Sequence, residues 1–232
     1  MTNSIVLFGS LGAVAETSDI QRTAYNQALA EAGLSWHWDE ETYKALLEQS
    51  GGRDRLRMLR DATNANIDDR LIERIHARKT ELACARIRSE PLAPRPGVAE
   101  LVEKAIEREF ALGFVTTTYR ANIDAIGEAL GDALPLHMFE VVITRDDVEH
   151  AKPHPAAYQQ ALQRTGRAPA EAIAIEDTMM SVLSAIGAGI ETIATPGKYA
   201  TSQHFFMADH IFGSLADESD RLDGRIERLI FS

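Results

Sequence analysis

Positive charge and cysteine are what this chain is short of. Its 232 residues carry 24 Lys+Arg against 35 Asp+Glu, a formal net charge of -11, which disfavours nucleic acid and anionic membrane surfaces as partners. Any anionic ligand must therefore be held by a local group of cations. The single cysteine, Cys84, excludes an internal disulfide. The opening MTNSIVLFGS runs into a short apolar strand without a charged-then-apolar leader, so a reducing cytoplasm is the expected compartment. No apolar run approaches the length needed to span a bilayer. Seven histidines with no paired spacing beside the acidic residues disfavour a zinc site.

What is present is a 45% hydrophobic chain long enough for a full core. Short β-rich runs recur at Ser4–Phe8, Leu112–Thr116, Val141–Thr144, Ala172–Ile175, Glu191–Ala194 and His210–Phe212, with turn signals and helical patterns between them. Such alternation predicts an α/β fold, a Rossmann-like doubly wound parallel sheet. The interval between the first two strands is too long for one crossover. It reads as helices at Asp19–Ala32, Glu40–Gln49, Arg53–Ala62 and Asp68–Arg88, an inserted all-helical cap domain. The segment Glu90-Pro-Leu-Ala-Pro-Arg-Pro-Gly97 holds three of the eight prolines and is the expected return linker. The expected domains are a core of residues 1–13 and 95–232 and a cap of residues 14–94.

Ligands of an open parallel sheet sit beyond the carboxyl ends of its strands. That brings together the loops Gly9–Gly12, Thr116–Tyr119, Arg145–Pro155 and Glu176–Ser181. In the second, Thr116 ends the run Phe-Val-Thr-Thr-Thr; the third carries Lys152 in Ala-Lys-Pro-His-Pro; the fourth begins with Glu176-Asp177 after Ala-Ile-Ala-Ile. Taken singly, each has an ordinary explanation: a turn threonine, a solvated lysine, an acidic helix cap. Their order after successive strands argues for one site.

At these loops the chain resembles the haloacid dehalogenase superfamily, over nearly its whole length. Within it the likeness is to β-phosphoglucomutases and CbbY-type xylulose bisphosphate phosphatases, supported in the cap by Ala24-Tyr25-Asn26-Gln27-Ala28, Gly33-Leu34-Ser35-Trp36-His37-Trp38-Asp39 and Gly51-Gly52-Arg53. The resemblance implies that Thr116 and Lys152 bind phosphate, that Glu176 and Asp177 hold magnesium through hard oxygens, and that Gly52, Arg53 and Lys79 reach over the substrate from the cap. Arg55 and Arg57 beside Arg53, and Arg78 and Glu81 beside Lys79, equally describe solvated charged helix faces. His37 between two tryptophans and Cys84 between alanines are expected to be packing residues.

One signature is missing. Active members carry Asp-x-Asp-Gly after the first strand, and this chain has Phe8-Gly9-Ser10-Leu11-Gly12. Gly9 stands in the place of the nucleophile that forms an aspartyl phosphate. Leu11 stands in that of the general acid/base, a role worth about 10²–10⁴-fold. Ser10 should point away from both if the strand continues, and Glu16 lies too far along the hinge. The expectation is a chain of sugar-phosphate phosphatase type, impaired or inactive, whose altered site takes a phosphorylated small molecule or inorganic anion. No cofactor is certain, and magnesium binding should be weak or lost. Three alternatives stay open: Lys152 turned onto Glu176 or Asp177 as a structural pair with no ligand site, a regulatory protein-interaction role with an unknown partner, and a hydrolase with an unrecognised nucleophile.

Overall fold

The structure is a computed structural model that describes residues 4–48, 51–200 and 204–216. Gln49, the expected end of a cap helix, lies outside these residues, as do positions 1–3, 201–203 and 217–232 of the expected core and position 50 of the cap. Six strands form one parallel sheet: β1 (Ile5–Phe8), β2 (Ala111–Val115), β3 (Val141–Ile143), β4 (Ala172–Glu176), β5 (Glu191–Ala194) and β6 (His210–Ile211). Their order is β3-β2-β1-β4-β5-β6, so successive connections leave β1 in opposite directions. The switch point, where an open sheet leaves a crevice for ligand, is therefore the carboxyl end of β1.

The strands read as apolar runs because both faces are covered. Val6, Phe8, Leu112, Phe114, Ile173 and Ile175 face one hydrophobic cluster. Ile5, Leu7, Val115, Ala172 and Ala174 face another, with Ala157, Tyr158 and Ala161 of helix α8 (Ala156–Thr165). Thr116 and Thr144, expected as strand ends, instead begin the loops that follow β2 and β3. The remaining core helices are α1 (Leu11–Val14), α6 (Val98–Glu107), α7 (Arg120–Leu130) and α9 (Met179–Gly187).

Between β1 and β2 lie the cap helices α2 (Ser18–Glu31), α3 (Glu40–Leu46), α4 (Gly52–Thr63) and α5 (Asp69–Ser89). They enclose their own cluster around Tyr25, Leu29, Trp38, Tyr43, Leu56, Ile72 and Ile75. The Pro-rich stretch after α5 is irregular up to α6, as read from the sequence. His37 is not the packing residue expected: its side chain is exposed, while Trp38 is buried and its backbone is held by Asn26. Cys84 is buried on α5 with its sulfur toward Asn122. Among the described residues, no helix is long and apolar enough to cross a membrane.

Candidate active site

The register of the sheet sets what can meet at its carboxyl end. Phe8 lies opposite Phe114 and Ile175, so Gly9 comes level with Val115 and Glu176, and all three positions point to the face that α8 covers. Gly9 has no side chain there, and Glu176 uses the room. A Cβ built on Gly9 would stand 2.0 Å from Glu176 Oε1 and 2.2 Å from the Tyr158 hydroxyl oxygen. The glutamate occupies the volume that a nucleophilic side chain at position 9 would need.

Lys152 completes this arrangement from the loop after β3. Its ammonium donates to Glu176 Oε1 at 2.5 Å, to the Gly9 carbonyl at 2.5 Å and to the Val115 carbonyl at 2.9 Å. An ammonium has three N–H donors, so all of them are accounted for. Tyr158 donates to the same Glu176 oxygen at 2.7 Å. The Lys152 side chain is 3% exposed and that of Glu176 0%. Burial lowers the Lys152 pKa and raises that of Glu176, and their mutual attraction opposes both shifts. Of the readings left open by the sequence, the pairing of Lys152 with Glu176 is the arrangement observed. Neither acidic residue is a helix cap, since Glu176 ends β4 and Asp177 accepts from Ser10 Oγ at 2.6 Å.

Ser10 faces Asp177, whereas position 9 faces Glu176. The strand stops at Phe8 and the chain turns into α1, so Ser10 Oγ caps that helix by accepting from the Ala13 amide, and the residue lines the cavity. The backbone at Ser10 is still extended (φ -156°, ψ 167°), and its side chain meets Asp177 while position 9 faces Glu176 and Tyr158. Burial raises the pKa of the Asp177 carboxyl beside it, against the hydrogen bond from Ser10.

A cavity of about 430 Å³ opens over this floor, lined on the core side by Ser10, Thr116 and Lys152 and on the cap side by Gly52, Arg53 and Lys79. The four loops thus meet, although Glu176 itself is too buried to line the space. Thr116 is 5% exposed, and its Oγ1 accepts from the Thr118 amide at 3.2 Å. Gly52 permits a close approach on the cap side: a Cβ there would lie 2.3 Å from the Tyr25 hydroxyl oxygen and 2.6 Å from His76 Nε2. Arg53 pairs with Glu73 at 2.7 Å and donates to the Tyr119 hydroxyl, linking cap to core across the cavity.

Lys79 departs furthest from a solvated helix face. The helical period puts it inward with Ile72, Ile75, His76 and Ala83, and it is 8% exposed. Its ammonium lies 4.6 Å from the Tyr25 ring centre. Burial, helped by the nearby Arg55 charge, brings its pKa down from 10.5 to about 7, and burial with the surrounding cations brings His76 down to about 3. Because the lysine pKa is lower folded than unfolded, the unfolded chain binds more protons between these two values, and stability must rise with pH there. Wild type should gain up to about 1.4 kcal/mol per pH unit from pH 7 to 10 relative to Lys79→Met. Parallel urea-unfolding profiles for the two proteins would refute this.

The magnesium expected from the resemblance needs several hard oxygen ligands. Position 9 supplies no side-chain oxygen, Glu176 is spent on an ammonium, and Asp177 is bonded to Ser10. Among the described residues no group of three or more metal-binding side chains occurs. This donor set does not fit the ion. Sequence reasoning also missed Tyr158 and His76, which sit on helices where nothing in local spacing marks a site.

Residues 11–195 match the family model described as haloacid dehalogenase-like hydrolase. The chain belongs to that family. Protein CbbY of Rhodobacter capsulatus is 36% identical over 88% of this chain and 90% of its own. The crystal structure of CbbY from Rhodobacter sphaeroides in complex with phosphate is 32% identical, with a TM-score of 0.86 over 93% of this chain and 96% of that one. A mutant of the same CbbY in complex with xylulose-(1,5)bisphosphate gives a TM-score of 0.88 at 32% identity over the same shares. β-Phosphoglucomutase from Clostridium difficile shares the fold at 13% identity, with a TM-score of 0.75 over the full length of both chains. The haloacid dehalogenase-like fold and the likeness to CbbY inferred from the sequence are therefore correct.

Proposed function

We propose that this chain is a non-hydrolytic relative of the sugar-phosphate phosphatases, whose cavity binds a phosphorylated sugar or a comparable small anion without cleaving it. The observation that carries the first half is the Glu176 carboxylate in the space of a side chain at position 9, tied to Lys152 and Tyr158. No carboxylate is left there to attack phosphorus, and Leu11 has no proton to transfer. The second half rests on the cavity and its cap-side cations Arg53 and Lys79. With its donors committed, Lys152 contributes little to the anion, whose core-side contact falls to Thr116. The CbbY structures with phosphate and with xylulose-(1,5)bisphosphate make a sugar bisphosphate the first ligand to try.

The test is phosphate release from a panel of sugar mono- and bisphosphates, with magnesium and with chelator, alongside calorimetry. Background release in both conditions is expected, with binding at millimolar concentration or tighter that is indifferent to chelator. Absence of heat across the panel and with inorganic phosphate would refute binding. One contact favours a second reading, a hydrolase working through Ser10: its hydroxyl donates to the half-buried Asp177 carboxylate at the cavity floor. Turnover by purified wild type that disappears in Ser10→Ala would establish that reading in place of the first.

A further inference from the structure

We propose that Lys79 is a reactive amine that reversibly captures the carbonyl group of an aldehyde or open-chain ketose phosphate as an imine. This rests on the cavity reading above but adds a covalent chemistry to it. A lysine becomes a nucleophile at neutral pH when it is desolvated or placed beside another cation, and Lys79 meets both conditions. Its side chain is buried in the cap with its ammonium against the Tyr25 ring, and the residue lines the cavity. Burial first and then the Arg55 charge from α4 weaken its hold on a proton, with Cys84 on α5 acting against them, while His76 on α5 is held neutral by burial. No carboxylate pairs with it among the described residues, unlike Lys152, which Glu176 holds, or Lys198, which Asp19 holds.

The ligand class follows from what else the nitrogen can see. Arg53, Arg55 and Arg57 line the same cavity, so an anionic group on the ligand has cations to meet while its carbonyl carbon faces the amine. The neutral nitrogen's lone pair forms a C–N bond as the carbonyl π pair moves to oxygen, which takes the proton that nitrogen gives up. The resulting carbinolamine loses its oxygen as water to leave the C=N bond. Addition of water reverses every step, and nothing is oxidised or reduced.

The experiment incubates the full chain with glycolaldehyde phosphate and sodium cyanoborohydride, which reduces an imine to a stable secondary amine, and maps the adduct by peptide mass. The chain has five lysines, so the other four serve as internal controls within one folded sample. Labelling of Lys79 at least about tenfold faster than Lys44, Lys104 or Lys198 at pH 7 is expected, as the half-neutral amine demands, with loss of that fast phase in Lys79→Arg. Equal labelling of all accessible lysines, or none at Lys79, overturns the proposal. Calorimetry with sorbitol 6-phosphate, which has no carbonyl, separates the two ideas. If it binds while Lys79 is not labelled, imine capture falls and the cavity reading stands; if it does not bind and Lys79 is not labelled, both fall.

Discussion

Glu176→Ala should destabilise the protein by about 3–5 kcal/mol, the loss expected when one partner of a buried ion pair is removed and the other stays uncompensated. Lys152 would be left with two carbonyls and no carboxylate bonded to it, in a site where its side chain is 3% exposed. Tyr158 would lose the acceptor of its buried hydroxyl at the same time. Removing both charges is a different experiment. Lys152→Met/Glu176→Leu should lie within about 1–2 kcal/mol of wild type, because apolar replacements of a buried pair avoid its desolvation. Urea unfolding of the two single variants and the double variant measures the coupling directly. A Glu176→Ala cost below about 1 kcal/mol would mean that the pair does not hold the loops of β1, β3 and β4 together.

The fold was legible because its signals are local. Apolar runs bounded by turn residues marked all six strands to within a residue or two, and amphipathic spacing marked the four cap helices. The absence of carboxylates at positions 9 and 11 was also plain in the sequence. What that absence does to the neighbours was not plain, because it depends on register: only when Phe8 is known to face Ile175 does Glu176 come beside Gly9. Tyr158 enters the same cluster from a helix 149 positions along the chain from Gly9, with no motif to announce it. Lys79 had two readings, over the substrate or on a solvated face, because charged neighbours on a helix look the same whichever face they occupy. The positions of Ile72 and Ile75 exclude the solvated face, since they bury the side of α5 on which Lys79 lies.

The same geometry predicts what reinstalling the carboxylates would do. In Gly9→Asp/Leu11→Asp the new side chain at position 9 cannot coexist with Glu176 Oε1, 2.0 Å from its Cβ, so the glutamate must swing away and surrender its bond to Lys152. Without metal the double variant should be less stable than wild type by about 1–3 kcal/mol, the usual cost of forcing atoms into a filled core, with a further loss as Leu11 leaves its apolar contacts. A displaced Glu176, the new carboxylate and Asp177 together make an oxygen donor set that magnesium can use. Millimolar magnesium should therefore raise the melting temperature of the double variant, by linkage worth about 2.7 kcal/mol at a hundredfold excess over Kd, and leave wild type unmoved. Magnesium-dependent phosphate release from a sugar bisphosphate should appear in the double variant alone. Leu11→Asp by itself should show neither response, because Glu176 stays on Lys152. If Gly9→Asp/Leu11→Asp folds yet ignores magnesium, Glu176 has not been displaced and the site's remaining residues no longer form a metal cradle.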